Sequence, residues 1–298
     1  MSSSTFVTET TSVFEIGNYK TILVDSEKCP KSSTELKPPK PILIGMPEAG
    51  EFPVLLLLHG YLLCNSFYSQ LIQHVASHGF IVIAPQLYTL AGCDTSEDIY
   101  STATITNWLS QGLKHFVPPN VHANLSKLAL AGHSRGGKTS FAVALNKGLI
   151  CRKFSALIGI DPVAGMTEGK QSSPPVFPPN DQSFDLDMPV MVIGSGLNGN
   201  CTPKGISHEE FYKKCEKPAC YLVAKEYGHM DMLNDNCIVK MLCCICKGGK
   251  CRGPMRKFVG GVVVAFMNAY LKGDDSSLMA IKDGHGKIPV ELEKEFNL

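Results

Sequence analysis

Between residues 41 and 272 the chain alternates short, uninterrupted apolar runs with longer segments whose apolar residues recur at helical spacing. That alternation restricts the fold more than any other feature. The runs are "PILIGMP", "FPVLLLLHG", "FIVIAP", "KLALA", "SALIGID", "PVMVIGS" and "YLVAKE". A strand that is apolar on consecutive residues buries both of its faces, as strands inside a sheet covered on two sides do. Between the second and third runs lies "NSFYSQLIQHVASHG", in which Phe67, Leu71 and Val75 repeat on one helical row, with Ile72 beside it and Gly79 at the stop. Further helices are expected over about 96–115, from Gly136 to about Asn146, and over about 254–272. Strands and helices taking turns predict an α/β fold: a mainly parallel central sheet with helices on both faces. Sites in such sheets lie beyond the carboxyl ends of the strands, so the residue that follows each apolar run carries most of the functional information.

Residues 1–39 are polar and read as a flexible segment with "KTILV" as an edge strand, ahead of one domain over 40–298. Two Pro- and Gly-rich stretches, 164–187 and 196–218, break the alternation after strand ends. Each is expected either to cover the site or to be a passive surface loop. "FVGGVVVAFMNAYL" is shorter than the roughly 18 residues a membrane span requires and reads as a buried helix. The N-terminus has no basic region ahead of an apolar core, so no secretory signal is expected. Its Ser and Thr content suits a plastid transit peptide, whereas two glutamates and no arginine before residue 16 oppose one; chloroplast and cytoplasm both stay open. Lys and Arg (28) nearly balance Asp and Glu (27), and no basic block interleaved with aromatics occurs, which excludes a nucleic-acid partner as the working reading.

Twelve cysteines are many for an intracellular chain, and eight of them follow residue 200. Cys243 and Cys246 have the spacing of half a zinc site or a redox pair, with Cys237 and Cys251 nearby. No second pair completes a metal site. Reduced thiols, with room for one labile disulfide, are the preferred reading, and neither a metal nor a cofactor is expected.

The chemistry centres on "LALAGHSRGGKTSFAV", where G-x-S-x-G stands between a strand-like and a helix-like segment. A sharp strand-to-helix turn can raise the Ser134 hydroxyl above the sheet, and Gly132 and Gly136 remove the side chains that would collide there. A serine is protonated near neutral pH and needs an imidazole base, itself oriented by an acid. Of nine histidines, His229 follows the late strand "YLVAKE" and can reach the turn. His59 and His133 sit where they shape the site, His74, His78 and His115 belong to helix patterns, and His122, His208 and His285 read as loop residues. Asp161 ends "ALIGID", between serine and histidine in chain order, and is the preferred acid; Asp231, close to His229, is second choice. An oxyanion needs two N–H donors, one from Arg135 and the other from Tyr61 or its neighbour Leu62. The Arg135 side chain reads equally as a surface cation or a substrate contact.

"LLLLHGYLLCNSFYSQLIQHVASHGFIVIAPQLY", "LAGHSRGGKTSFAVAL", "LIGIDPV", "SFDLD", "VIGSGL" and "YGHMDML" together closely resemble the plant chlorophyllases, over about residues 41–273. The resemblance implies an α/β-hydrolase that cleaves the phytyl ester of chlorophyll, with the family's serine, acid and histidine falling on Ser134, Asp161 and His229. It implies no cofactor, since the magnesium belongs to the substrate, and it raises a peripheral contact with the photosynthetic membrane. A macrocyclic substrate calls for a wide apolar cleft, for which Tyr61, Leu62, Phe67 and Phe177 are candidate lining residues; core or loop packing is the plain alternative for each. A lipase or general carboxylesterase with the same triad is the nearest competing function, and a non-catalytic receptor of the same fold is a further one.

Overall fold

A computed structural model describes residues 12–28, 37–235 and 246–298. Nine strands among these residues are β1 (Thr21–Asp25), β2 (Ile42–Pro47), β3 (Gly50–Leu58), β4 (Ile81–Pro85), β5 (Val121–His133), β6 (Ala156–Ile160), β7 (Val190–Ser195), β8 (Ala219–Ala224) and β9 (Leu292–Asn297). They form one sheet in the order β1-β2-β4-β3-β5-β6-β7-β8-β9. Pairing is parallel from β4 through β3, β5, β6 and β7 to β8. It is antiparallel where β1 meets β2, β2 meets β4 and β8 meets β9. This mostly parallel sheet is the α/β architecture expected from the alternation, and it is consistent with the α/β-hydrolase fold that the resemblance implies.

Helices α1 (Ser69–Ser77), α2 (Ser96–Gly112), α3 (Arg135–Leu145), α4 (His208–Lys213), α5 (Gly253–Met267) and α6 (Ser276–Asp283) cover it. Successive side chains of a strand point to opposite faces, so one apolar run feeds two cores. In β3, Leu55 and Leu57 join Ile72 of α1, Phe258 of α5 and Leu278 of α6. Val54, Leu56 and Leu58 join Ile105 of α2, Phe141 of α3 and Phe211 of α4. The "FVGGVVVAFM" helix is buried on nearly every side, as its composition requires.

Three details differ from the sequence reading. The N-terminal segment is anchored over its described part. Val13 and Phe14 are buried, Gly17 N–H donates to Ser77 Oγ at 2.8 Å, and β1 is the sheet's edge. Strand β5 begins six residues before "KLALA", so His122 is a strand residue. The stretch 196–218 is not all loop, because α4 lies inside it. A polar segment with few apolar residues carries too weak a periodic signal to reveal a helix of six residues or a two-residue anchor.

Candidate active site

Strand β5 ends at His133 and α3 starts at Arg135, leaving Ser134 alone to turn the chain, with φ 56° and ψ −121°. A non-glycine residue at positive φ is strained and persists only where its surroundings hold it. Here Ser134 N–H donates to Ile160 O of β6, and Ser134 O accepts from Lys138 and Val163. The glycines are steric requirements: a Cβ on Gly132 would lie 2.1 Å from Gly136 O, and one on Gly136 would lie 2.5 Å from His59 O.

The ends of β5, β6 and β8 converge on this turn. Asp161 follows β6 at φ 44°, and His229 lies in the loop after β8. The Ser134 hydroxyl lies 2.8 Å from His229 Nε2, and His229 Nδ1 lies 2.8 Å from Asp161 Oδ2. Asp161 is fully buried. Burial works to raise its carboxyl, but the His229 hydrogen bond and charge, His208 and the Ser195 hydroxyl outweigh that and lower it to about 2. It is therefore a carboxylate across the physiological range, able to fix the imidazole tautomer that leaves Nε2 as acceptor for the serine proton. Ser195, at the end of β7 where no acid occurs, donates to Asp161 Oδ2 at 2.5 Å. Asp231 instead accepts from Gly228 and Gly249 N–H and shapes the histidine loop.

A second polar chain runs beneath. Gly60 N–H donates to the Tyr68 hydroxyl (2.9 Å), which donates to His133 Nδ1 (2.8 Å), and His133 Nε2–H donates to His229 O (3.0 Å). Burial lowers His133 to about 3 and raises the Tyr68 phenol, so the imidazole is neutral and the phenol keeps its proton, as these directions require. The same logic fixes His59, lowered to about 4 by burial: Nδ1–H donates to Gly60 O and Nε2 accepts from Leu87 N–H. Because Gly60 N–H is consumed by Tyr68, Tyr61 and Leu62 remain as donors in the loop that touches the serine. A Cβ on Gly60 would sit 3.2 Å from Ser134 Cβ.

Ser134 and His229 open into a cavity of about 350 Å³ walled by Tyr61, Leu62, Leu63, Val163, Met166 and Met230. Both interrupting stretches contribute to it, Gly165 and Ser172 from the first, Asn200, Cys201 and Pro203 from the second. They are tied together by Ala164 N–H to Ile206 O and Gly169 N–H to Lys204 O. Two of the four lining candidates lie elsewhere. Phe67 is buried in the core with Leu71 and Leu233, and Phe177 packs against the second core in an aromatic cluster, edge-on to Phe211 and tilted against Phe184. Both are large apolar side chains that the core could take as well as a cleft, and sequence spacing does not separate the two.

The Arg135 side chain is not the surface cation of the first reading. It is buried, pairs with Asp98 of α2 at 2.7 Å, and donates to Gly92 O and Asp94 O, so it clamps the 92–98 segment to α3 while its edge borders the cavity. Lys138, absent from the sequence reasoning, is wholly buried one turn further on; its ammonium donates to Thr95 Oγ1, Ser172 O and Ser172 Oγ. A lysine in the first turn of a helix that otherwise faces the sheet was the available signal. Burial lowers it to about 8. Cys246, half of the C-x-x-C spacing, is instead in a disulfide with Cys201 at the cavity wall; Cys237 and Cys243 lie outside the described residues, and Cys251 is a free thiol.

A family model described as chlorophyllase matches residues 9–297. The chain belongs to the chlorophyllase family. It is 54% identical to Chlorophyllase-2 of Arabidopsis thaliana over 304 residues, covering 94% of this chain and 96% of that one. It is 41% identical to Chlorophyllase-1 of the same plant, covering 95% and 92%. It is also 41% identical to a Citrus unshiu protein named "Chlorophyllase-1, chloroplastic", covering 96% and 88%. The chlorophyllase family is one of hydrolases, so the geometry around Ser134 belongs to an enzyme family rather than to a receptor that merely shares the fold.

Proposed function

We propose that the protein hydrolyses the phytyl ester of chlorophyll to chlorophyllide and phytol, with Ser134 as nucleophile, His229 as base and acid, and Asp161 as orienting carboxylate. The observation that carries this reading is the continuous hydrogen-bonded chain from Asp161 through His229 to Ser134 at the floor of an apolar cavity, in a chain of this family. His229 Nε2 takes the Ser134 proton as Oγ attacks the propionate ester carbonyl. The imidazolium, held by the buried carboxylate, then gives that proton to the departing phytol oxygen. Water, activated by the same imidazole, releases chlorophyllide from the acyl-enzyme. The N–H groups of Arg135 and of Tyr61 or Leu62 supply the oxyanion donors. The first stands at the N-terminus of α3, where backbone N–H groups lack helical partners and the dipole favours negative charge.

A cavity of about 350 Å³ is at the low end of what holds a drug-sized ligand, about 300–1,000 Å³. A macrocycle carrying an isoprenoid ester exceeds such ligands, so part of the substrate rests on the rim. That rim is apolar: Leu62 is 42% exposed, Leu90 84% and Met166 59%. Tyr61 Oη bonds to Ala91 O, next to Leu90, and Cys93 Sγ touches Met166 Sδ, which draws these residues around one mouth. Such side chains suit a peripheral contact with the photosynthetic membrane, and two Citrus relatives named chloroplastic favour the plastid as the compartment. Among the described residues no helix is long and apolar enough to cross a membrane.

The test is incubation of the wild type and Ser134→Ala with chlorophyll a, a short p-nitrophenyl ester and a triglyceride. Chlorophyllide from the wild type alone is the expected result. Brisk turnover of the short ester without chlorophyllide would identify a general carboxylesterase instead.

A further inference from the structure

Asp161 presents its two oxygens unequally. Oδ2 receives His229 Nδ1–H at 2.8 Å and the Ser195 hydroxyl at 2.5 Å, whereas Oδ1 has only the Ser195 N–H at 3.4 Å. A buried carboxylate has about four acceptor sites, and leaving one oxygen so poorly served is costly. Facing Oδ1 at 3.7 Å is Nε2 of His208, the first residue of α4, which is 2% exposed. That nitrogen has no hydrogen-bond partner among the described residues. A starved acceptor and a starved ring nitrogen thus confront each other in the buried interior.

The His208 ring is placed there by two features of neighbouring strands. Its Nδ1 lies 2.8 Å from the Tyr221 hydroxyl of β8. Burial raises the Tyr221 phenol, so that hydroxyl keeps its proton, and because a carboxylate faces Nε2 the ring favours the Nε2–H tautomer, for which Tyr221 is the donor to Nδ1. In a neutral imidazole the proton then resides on Nε2, directed at Asp161. On β7, Gly194 supplies the space: a Cβ there would lie 2.5 Å from His208 Nδ1. A glycine inside a strand, a tyrosine across the ladder and a helix start all serve one ring orientation.

We infer that His208 is a positioning residue for Asp161: its Nε2–H is directed at Oδ1 from 3.7 Å, so that the carboxylate lies between two imidazoles, bonded to His229 on one oxygen and facing His208 on the other. This rests on the reading of Asp161 as the orienting acid. Without His208, Oδ1 keeps only the long Ser195 N–H contact, and the carboxylate is less restrained about the bond that His229 depends on. Sharing its charge with a second donor also weakens its grip on the His229 imidazolium. The groups facing His208 are Asp161 beyond β6 and Tyr221 on β8; His229 lies across Asp161, and Glu209 acts on Tyr221. Glu293 and Glu295 of β9 act on Tyr221.

The experiment compares kcat, KM and their pH profiles on chlorophyll a for wild type, His208→Phe, His208→Gln, Tyr221→Phe and Ser134→Ala, with thermal melts as folding controls. His208→Phe keeps a ring and removes the donor. Its kcat is expected to fall about tenfold with KM within about twofold, the loss of one N–H directed at a charged group. Its acid limb should move up by about half a pH unit, because Asp161 then stabilises the His229 imidazolium alone. His208→Gln restores an amide N–H and is expected to recover most of kcat and return the limb. Should the phenylalanine variant fail to fold, Tyr221→Phe reads the same relay, with a loss of about twofold to threefold and a smaller shift in the same direction. An unmoved limb in folded His208→Phe, or equal losses in the Phe and Gln variants, would overturn the assignment. So would wild-type behaviour of Tyr221→Phe when that variant is the one relied on. An inert Ser134→Ala with any of those results sinks His208 alone, whereas an active Ser134→Ala sinks the triad reading and His208 with it.

Discussion

Ser134 pairs an unfavourable backbone conformation with a reactive position, and the two are linked. Only a turn this tight lifts Oγ clear of the sheet, and its strain is held by bonds from Ser134 to β6 and α3. Replacing Ser134 by Ala leaves that backbone intact, so chlorophyllide formation should fall by about 10⁴-fold or more while the melting temperature stays within a few degrees. Asp161→Asn is expected to lose about 10⁴-fold through the wrong imidazole tautomer. Asp231→Asn disturbs a loop bonded to Gly228 and Gly249, so its defect should lie in stability. A larger kcat loss at Asp231 than at Asp161 would show that the acid has been misassigned. At Gly132 the argument is steric. An alanine Cβ only 2.1 Å from Gly136 O forces the backbone apart, and Gly132→Ala should abolish soluble expression or cost about 3 kcal/mol or more in chemical denaturation.

Helix α3 does more than follow the Ser134 turn. Its first turn carries Arg135 to Asp98 of α2 and Lys138 to Thr95 and Ser172, so one helix fixes both the 92–98 segment and the chain that walls the cavity. Breaking a buried ion pair from one side costs about 3–5 kcal/mol, because the other charge is left uncompensated. Arg135→Ala should therefore destabilise by that amount, and Arg135→Lys should not rescue it, since the guanidinium serves Asp98, Gly92 O and Asp94 O at once. Its backbone N–H survives either change. Short-ester turnover in folded protein should thus fall far less than in Ser134→Ala; equal losses would mean that the side chain touches the reacting atoms.

Across the whole molecule, buried histidines set a pH limit. His59 and His133 are held neutral by burial, lowered from 6.5 to about 4 and about 3, so below pH 6.5 the unfolded chain binds protons that the folded chain refuses. Stability then falls as the pH drops, by about 2 kcal/mol per histidine between pH 7 and 5. The low carboxyl of Asp161 works in the same direction between about pH 4 and pH 2, where the unfolded carboxyl takes up a proton that the folded one refuses. Urea denaturation at pH 7 and 5 measures this; equal midpoints would contradict it. The apolar rim makes a separate claim. Leu90→Ser with Met166→Ser removes exposed apolar area that would enter a lipid surface, and should weaken sedimentation with neutral lipid vesicles by about tenfold.

The periodicities of the chain carried the alternation of strands and helices, and with it the sheet, because burial on two faces leaves an unbroken apolar run that solvent-facing segments cannot imitate. Strand ends likewise pointed to Ser134, Asp161 and His229, since chain order and position beyond a strand are local properties. What that pattern could not carry were contacts between segments far apart in sequence. Ser195 on Asp161, His208 opposite it, Lys138 under Ser172, and Cys201 bonded to Cys246 rather than Cys246 in a C-x-x-C pair all depend on which loops the fold brings together. The same holds for Phe67 and Phe177, apolar in either place and assigned to packing only once the layers close. Composition and spacing encode what each segment buries; the partner it buries against exists only after the sheet has set its strand order.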